Sequence, residues 1–228
     1  MKRSRHTRIK ICCIASVEEL SIAVRNGANA VGLVSTMPSG PGVIDDATIA
    51  ILARLTPPGV ASFLLTSQTD AAAIVAQQRR AQTNTLQIVD RVDVAVYREL
   101  RAALPGISLV QVLHISGAEA VDEAVDIAGY VDALLLDSGN VYAGQRNEPG
   151  ERRLGGTGRV HDWRVSRAIR EAVAVPVYLA GGLNPANVAD AIAAVGPFGI
   201  DICSGVRTDG RLDEVKVAAL MRAVTTGS

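Results

Sequence analysis

The sequence predicts a single α/β domain folded as a (β/α)8 TIM barrel. Three observations carry that prediction. Short β-branched runs alternate eight times with segments of helical period, no composition break interrupts them across 228 residues, and glycines gather in the loops that follow the last strands. The strands are expected at Arg8–Ile14, Ala30–Val34, Ala61–Leu65, Thr85–Ile88, Ser108–Val112, Ala133–Asp137, Val177–Ala180 and Gly199–Ile202. The helices between them are expected at Val17–Asn26, Asp46–Leu55, Ala71–Arg79, Val94–Ala103, Ala118–Ala128, Trp163–Ala172, Pro185–Ala193 and Asp213–Ala223. Ser16, Asp45, Asp70, Asp93, Gly117, Asp162 and Asn184 stand before the first seven helices as usable N-caps, while Leu212 before the eighth is not one. A doubly wound sheet would carry a glycine-rich turn after the first strand, where this chain has Cys13-Ile14-Ala15-Ser16. The expected organisation is one domain over 1–228, with a short basic lead-in at 1–8 and a long loop after strand six at 138–161.

Composition narrows the class. Hydrophobic residues make up 48%, charged residues 20% and aromatic residues 3%, so the core is built of Ala, Val, Ile and Leu. Basic and acidic side chains balance at 23 each, yet Lys2, Arg3, Arg5, Arg8 and Lys10 sit in the first ten positions, which leaves the remainder mildly acidic. That distribution is not a nucleic-acid footprint. The apolar run Ile11 to Ala15 is too short for a secretory signal, and no run approaches the roughly 18 apolar residues of a membrane span. Three cysteines, an odd number, suit a reducing cytoplasm. Adjacent Cys12 and Cys13 face opposite ways on a strand and make a poor metal clip, so no metal site is expected.

In this fold the chemistry sits at the carboxyl ends of the strands. Strand one reads Lys10-Ile11-Cys12-Cys13, and a period of two puts Lys10 and Cys12 on one face. A nearby ammonium raises the thiolate fraction of a cysteine, so Cys12 can act as base or nucleophile; it can equally pack as a small hydrophobe. Strand six is apolar and ends in Asp137, which a barrel mouth can hold partly protonated as a general acid or use to cap a turn. Asp132, at the start of that strand, should face the other end. Gly181-Gly182 after strand seven and Ser204-Gly205 after strand eight suit a phosphate site, because bare backbone approaches an anion closely. The 24 residues between Asp137 and Asp162 exceed the usual connection of about 2–6. That loop carries Gly155-Gly156-Thr157-Gly158 and the arginines 146, 152, 153 and 159, which can meet an anionic substrate if it closes. His114, near the end of strand five, reads better as a satisfied structural histidine than as a substrate contact.

These pieces, in this order, resemble the phosphoribosylanthranilate isomerase family. The motifs are Lys10-Ile11-Cys12, Leu135-Leu136-Asp137, Gly155 to Gly158, Asp162-Trp163, Ala180-Gly181-Gly182-Leu183-Asn184-Pro185 running on to Val188, and Asp201 to Val206. The resemblance covers Lys10 to Arg222 and implies an Amadori rearrangement of an aminoaldose phosphate in tryptophan biosynthesis. It implies Cys12 as the base that removes the C2′ proton, Asp137 as the acid that protonates the ring oxygen, and Gly181, Gly182, Ser204 and Gly205 as phosphate ligands. Lys10, Gly156, Arg159 and Asp201 complete the expected substrate set. The implied partner is a phosphorylated sugar amine, with neither metal nor redox cofactor. Monomer and dimer both fit: large aromatic anchors are few, while Ala/Val/Leu helix faces can pair.

Two departures bear on specificity. Where the family has Ser-Pro-Arg after strand two, its arginine addressing the anthranilate side, this chain has Ser39-Gly40-Pro41-Gly42. Where the family ends strand four in Gln-Leu-His-Gly, it has Gln87-Ile88-Val89-Asp90. Cys13 also replaces a usual glycine, and His161 a usual aromatic. Alternative readings are a same-chemistry isomerase for another phosphorylated sugar amine, or a phosphosugar-binding barrel without catalysis. The presence of both Cys12 and Asp137 speaks against the last.

Overall fold

Strands that read as near-continuous apolar runs are expected to be covered on both faces, and here the covering is a barrel. The computed structural model describes residues 6–38, 40–138 and 162–226. Eight parallel strands, β1 (Arg8–Ile11), β2 (Ala30–Val34), β3 (Ala61–Thr66), β4 (Thr85–Ile88), β5 (Ser108–His114), β6 (Ala133–Asp137), β7 (Val177–Leu179) and β8 (Gly199–Ile202), pair in sequence order and close β8 against β1. The helices α1 (Val17–Arg25), α2 (Asp46–Leu55), α3 (Ala71–Ala81), α4 (Val94–Ala103), α5 (Ala120–Ala128), α6 (Trp163–Ala172), α7 (Val188–Val195) and α8 (Glu214–Thr226) surround them. Among the described residues no helix is long and apolar enough to cross a membrane.

Caps set the helix starts. Ser16, Asp45, Asp70 and Asp162 each accept a hydrogen bond from a backbone amide of the first turn, from Glu19, Thr48, Ala73 and Arg164 respectively. Asp93 precedes α4 without a side-chain bond. Three starts differ from expectation. The Asn184 side chain accepts from Ala186 N, and its own amide donates to Asn187 Oδ1, so a turn precedes α7 and the helix proper begins at Val188. α5 begins at Ala120 instead of 118. Asp213 caps α8 through the amides of Val215 and Lys216, at 3.0 and 3.2 Å.

The strand alternation separates two cores. Ile9, Ile11, Val31, Leu33, Leu64, Leu86 and Ile88 face outward into the helix layer, whereas Ala30, Val34, Phe63, Leu65, Val110, Val112, Ala133, Leu135 and Tyr178 fill the barrel interior. Phe63, Tyr178 and Phe198 form its floor through edge-on contacts at 6.0 and 5.4 Å between ring centres. Three of the seven Phe, Tyr and Trp rings are therefore spent below the mouth. Asp132 stands at the opposite end from Asp137, paired with Arg101 at 2.7 Å and accepting from Leu109 N.

Above the floor lies a charge. Lys10 Nζ is 5.2 Å from the Phe63 ring centre and 2.8 Å from Asp201 Oδ1, with Lys10 wholly buried and Asp201 8% exposed. The two residues are also neighbours in the β1–β8 ladder. Burial opposes the charge on Lys10, but the Asp201 carboxylate, aided by Cys12, outweighs it and holds the ammonium above its ordinary range. Replacing Lys10 by Met strands a buried carboxylate and should lower unfolding free energy by about 3–5 kcal/mol. The double variant Lys10→Met/Asp201→Leu should recover most of that loss in urea titrations. Additive losses in the double variant would show that the pair is not coupled.

Candidate active site

The chain bends where strand one was expected to continue. β1 ends at Ile11, three residues early, although Cys12 N still donates to Ile202 O at 2.8 Å. Cys13 has φ +65°, a left-handed conformation that costs a side-chain-bearing residue about 1–2 kcal/mol; it breaks the regular ladder, although Ile14 N beyond it still donates to Gly32 O at 2.9 Å. It is the position where the resemblance expects a glycine. The bend is clamped from outside: Arg207 donates to the carbonyls of Cys12 and Cys13 and pairs with Glu19 at 2.8 Å. Glu19 in turn accepts from Ala15 N and Leu212 N, both at 2.9 Å. Burial opposes the Glu19 charge, yet Arg207 and these amides hold its carboxyl below the usual range. Nothing in the sequence pattern pointed to this clamp, because its partners are 188 residues apart.

Inside the bend, Lys10 and Cys12 share one face as the alternation requires. A Cβ on Gly32 of β2 would lie 2.8 Å from Cys12 Sγ and 3.0 Å from Lys10 Nζ, so the bare glycine leaves room for both groups. Lys10 itself does not reach the surface of the cleft. It lies beneath Cys12 as a buried counter-charge. Cys13, expected on the opposite face, also lines the cleft, because the bend ends the strand alternation before it, and its thiol shares a 2.7 Å hydrogen bond with Cys203. Hydrogen bonds to Cys12 and Cys203, with burial, push the Cys13 thiol well up. The contact with Cys13, together with the Arg207 charge, lowers Cys203.

The mouth of the barrel holds an open cleft of about 760 Å³. Cys12, Asp137, Asp201, Gly181, Gly182 and Ser204 all line it, bringing together residues from β1, β6, β7 and β8. Burial raises the Asp137 carboxyl above its ordinary range; His114 and Lys10 pull it down and Asp201 pushes it up, without reversing the effect of burial. Gly205 does not line the cleft. It sits one layer behind, where a Cβ would collide with the carbonyl oxygen of Leu183, so the loops after β7 and β8 meet backbone to backbone. Gly181, with φ +85°, and a 3₁₀ turn at Ser204–Val206 complete this edge. A two-stranded hairpin, β9 (Arg207–Thr208) with β10 (Arg211–Leu212), follows.

Gly156, Arg159, Arg146, Arg152, Arg153 and His161 lie outside the described residues. After β2, Gly40 and Pro41 line the cleft with Met37. Among the described residues lining it there is no Lys, Arg, Phe, Tyr or Trp. No group of three or more His, Cys, Asp or Glu suited to a metal occurs among the described residues. His114, expected as a satisfied structural histidine, is only half so among the described residues: its Nε2 meets the Val89 carbonyl at 3.3 Å, whereas its buried Nδ1 has no hydrogen-bond partner there.

Known proteins resemble this chain in sequence and fold. A family model described as N-(5′phosphoribosyl)anthranilate (PRA) isomerase matches residues 9–223. The N-(5′-phosphoribosyl)anthranilate isomerase of Halobacterium salinarum is 35% identical over 226 residues, covering 96% of this chain and 96% of that protein. The solved phosphoribosyl anthranilate isomerase of Thermococcus kodakaraensis is 27% identical with a TM-score of 0.77, covering 96% of this chain and 98% of the other. A third structure has 23% identity and a TM-score of 0.78, covering 96% and 99%. It is a phosphoribosyl anthranilate isomerase in complex with reduced 1-(o-carboxyphenylamino)-1-deoxyribulose 5-phosphate. With the family match spanning nearly its whole length, the chain belongs to the N-(5′-phosphoribosyl)anthranilate isomerase family.

Proposed function

We propose that this chain is an isomerase that converts N-(5-phosphoribosyl)anthranilate to 1-(o-carboxyphenylamino)-1-deoxyribulose 5-phosphate in tryptophan biosynthesis. The observation that carries the reading is the convergence of Cys12 and Asp137 on one cleft whose edge is the Gly181–Gly182 and Ser204 loop pair. Asp137, with its carboxyl raised by burial, gives a proton to the ring oxygen as the C1′–O bond breaks and the nitrogen lone pair forms the iminium. Cys12 then takes the C2′ proton, and the electrons left at C2′ form the enolamine, which tautomerises to the ketone. The Lys10 ammonium supplies positive potential beside the sulfur base. Gly181, Gly182 and Ser204 receive the phosphate, with Gly205 allowing the two loops to close on it. No step moves electrons to an external acceptor, so the scheme calls for no redox cofactor.

The absence of an arginine in the described part of the Gly40–Gly42 loop favours one second reading, the same chemistry on another phosphorylated sugar amine. Loss of anthranilate fluorescence on mixing with N-(5-phosphoribosyl)anthranilate decides between them: turnover is expected, and binding of phosphosugars without turnover would select the second reading.

Cys12→Ala and Asp137→Asn should each lower kcat by about 10²- to 10⁴-fold; residual rates equal to the wild type would remove the pair from the mechanism. Gly205→Ala should instead act on binding, since a displaced loop loses charged hydrogen bonds of about 1.5–3 kcal/mol each. A rise in KM of roughly ten- to a hundredfold is expected by that measure, against an unchanged KM if the loops do not hold phosphate.

Asp137 also makes a stability prediction. The folded state binds its proton more tightly than the unfolded chain does, so this residue's contribution falls as pH rises from about 4 through the raised folded pKa. At neutral pH the buried carboxylate is a net cost, and Asp137→Asn should therefore melt higher than wild type at pH 7. The gap should narrow as the pH is lowered toward 4. A lower melting temperature at pH 7 would contradict the raised pKa.

A further inference from the structure

Two polar atoms of the cleft wall have no use in the mechanism above. Among the described residues, Gln87 Oε1 and His114 Nδ1 are buried without hydrogen-bond partners, and both residues line the cleft. Gln87 stands on β4, 3% exposed. His114 closes β5 opposite Asp137 in the ladder. Its Nε2 lies 3.3 Å from the carbonyl oxygen of Val89. A carbonyl can only accept, so in the neutral imidazole Nε2 carries the ring hydrogen and Nδ1 is left as an acceptor; the cationic form, which lowers Asp137, would leave none. A buried acceptor without a donor costs about 1–3 kcal/mol. Two of them on adjacent strands mark a wall where an incoming ligand brings donors.

The barrel order says which donors. In the closed ring β1 and β5 stand opposite one another. In a ribofuranose the 2′ and 3′ hydroxyls lie on one face of the ring and the C2′ hydrogen on the other. In the ring-closed substrate as it binds, before Asp137 opens it, a base at the end of β1 poised for this hydrogen faces one side of the sugar, and the diol is turned toward β4 and β5. We infer that His114 and Gln87 form the diol-reading wall of the site, accepting hydrogen bonds from the ribose hydroxyls and so selecting a phosphorylated ribosyl substrate over a deoxy sugar. The orientation rests on the proposed role of Cys12 as base; the orphan acceptors stand apart from it. Val89 at the end of β4 is the position where the family resemblance expects a histidine, and the His114 ring reaches it from the next strand.

The test uses two simple probes, D-ribose 5-phosphate and 2-deoxy-D-ribose 5-phosphate, with binding followed by ligand-observed NMR. Wild type should prefer ribose 5-phosphate by about two- to tenfold, the worth of one neutral hydrogen bond. His114→Leu and Gln87→Leu should each bring the ratio toward one, and His114→Gln, which restores an acceptor, should keep part of it. Melting temperature and affinity for inorganic phosphate report whether each variant retains its fold and its phosphate edge. An unchanged ratio in both leucine variants, or no preference in wild type, overturns the inference. Discrimination in wild type without turnover of N-(5-phosphoribosyl)anthranilate would remove the proposed function and leave the wall standing. Turnover without discrimination would do the reverse.

Discussion

The buried pair between Lys10 and Asp201 is the constraint around which the site is arranged. It lies at the seam where β8 closes on β1, on a floor of aromatic rings, and it is bordered above by Cys12. A pair of buried charges gains little over a well-packed apolar pair of the same volume, because desolvation consumes most of the Coulomb attraction. Seam stability alone is thus a weak reason for this pairing. Its effect is positional: Asp201 reaches the cleft while its counter-charge stays beneath, and a fixed positive potential stands next to a sulfur. Gly32 makes the arrangement sterically possible, since any side chain there would press on both groups.

Closing the seam also imposes the bend at Cys12 and Cys13. A strand continuing to Ile14 would have carried its residues past the mouth. The left-handed Cys13 instead kinks the backbone just after Cys12, and the Arg207–Glu19 clamp holds the carbonyls that the kink frees from the ladder. Glu19 belongs to α1 and Arg207 to the hairpin after β8, so one partly buried ion pair ties the Cys12–Cys13 turn to the segment that follows the Ser204–Val206 loop. Strain at the bend and compensation at the clamp are the same design seen from two sides.

What was legible in the sequence divides along physical lines. Periodicity and caps located all eight strands and helices, because each depends on residues within one turn or one pleat of another. Cys12, Asp137, Gly181, Gly182, Ser204 and Asp201 were legible because the fold delivers strand ends to one place. The end of β1 was not, since a left-handed cysteine has no local signature. Neither was Arg207, whose partner is remote in the chain, nor the orphaned Nδ1 of His114, which depends on what the neighbouring strand fails to offer. Lys10 was placed on the right face but one layer too high, because alternation gives direction and not depth.

Among its described lining residues the cleft has no Lys or Arg for an aromatic carboxylate and no Phe, Tyr or Trp to stack on it, yet it is not bare where the aglycone would lie. Val34, Met37, Leu65 and Pro41 form an aliphatic side near β2 and β3. A hydrogen bond to a charged group contributes about 1.5–3 kcal/mol, and burying a side chain of aromatic size contributes about 1.5–3 kcal/mol as well. The two are comparable, so an apolar wall can offset a missing arginine in affinity. It cannot replace it in specificity, because apolar contact is non-directional and accepts any ring of suitable size. Directional selection in the described cleft therefore falls to the phosphate edge and to the unpartnered acceptors of β4 and β5. On these terms the described cleft has directional groups for a sugar phosphate and only apolar contact for an aromatic amine.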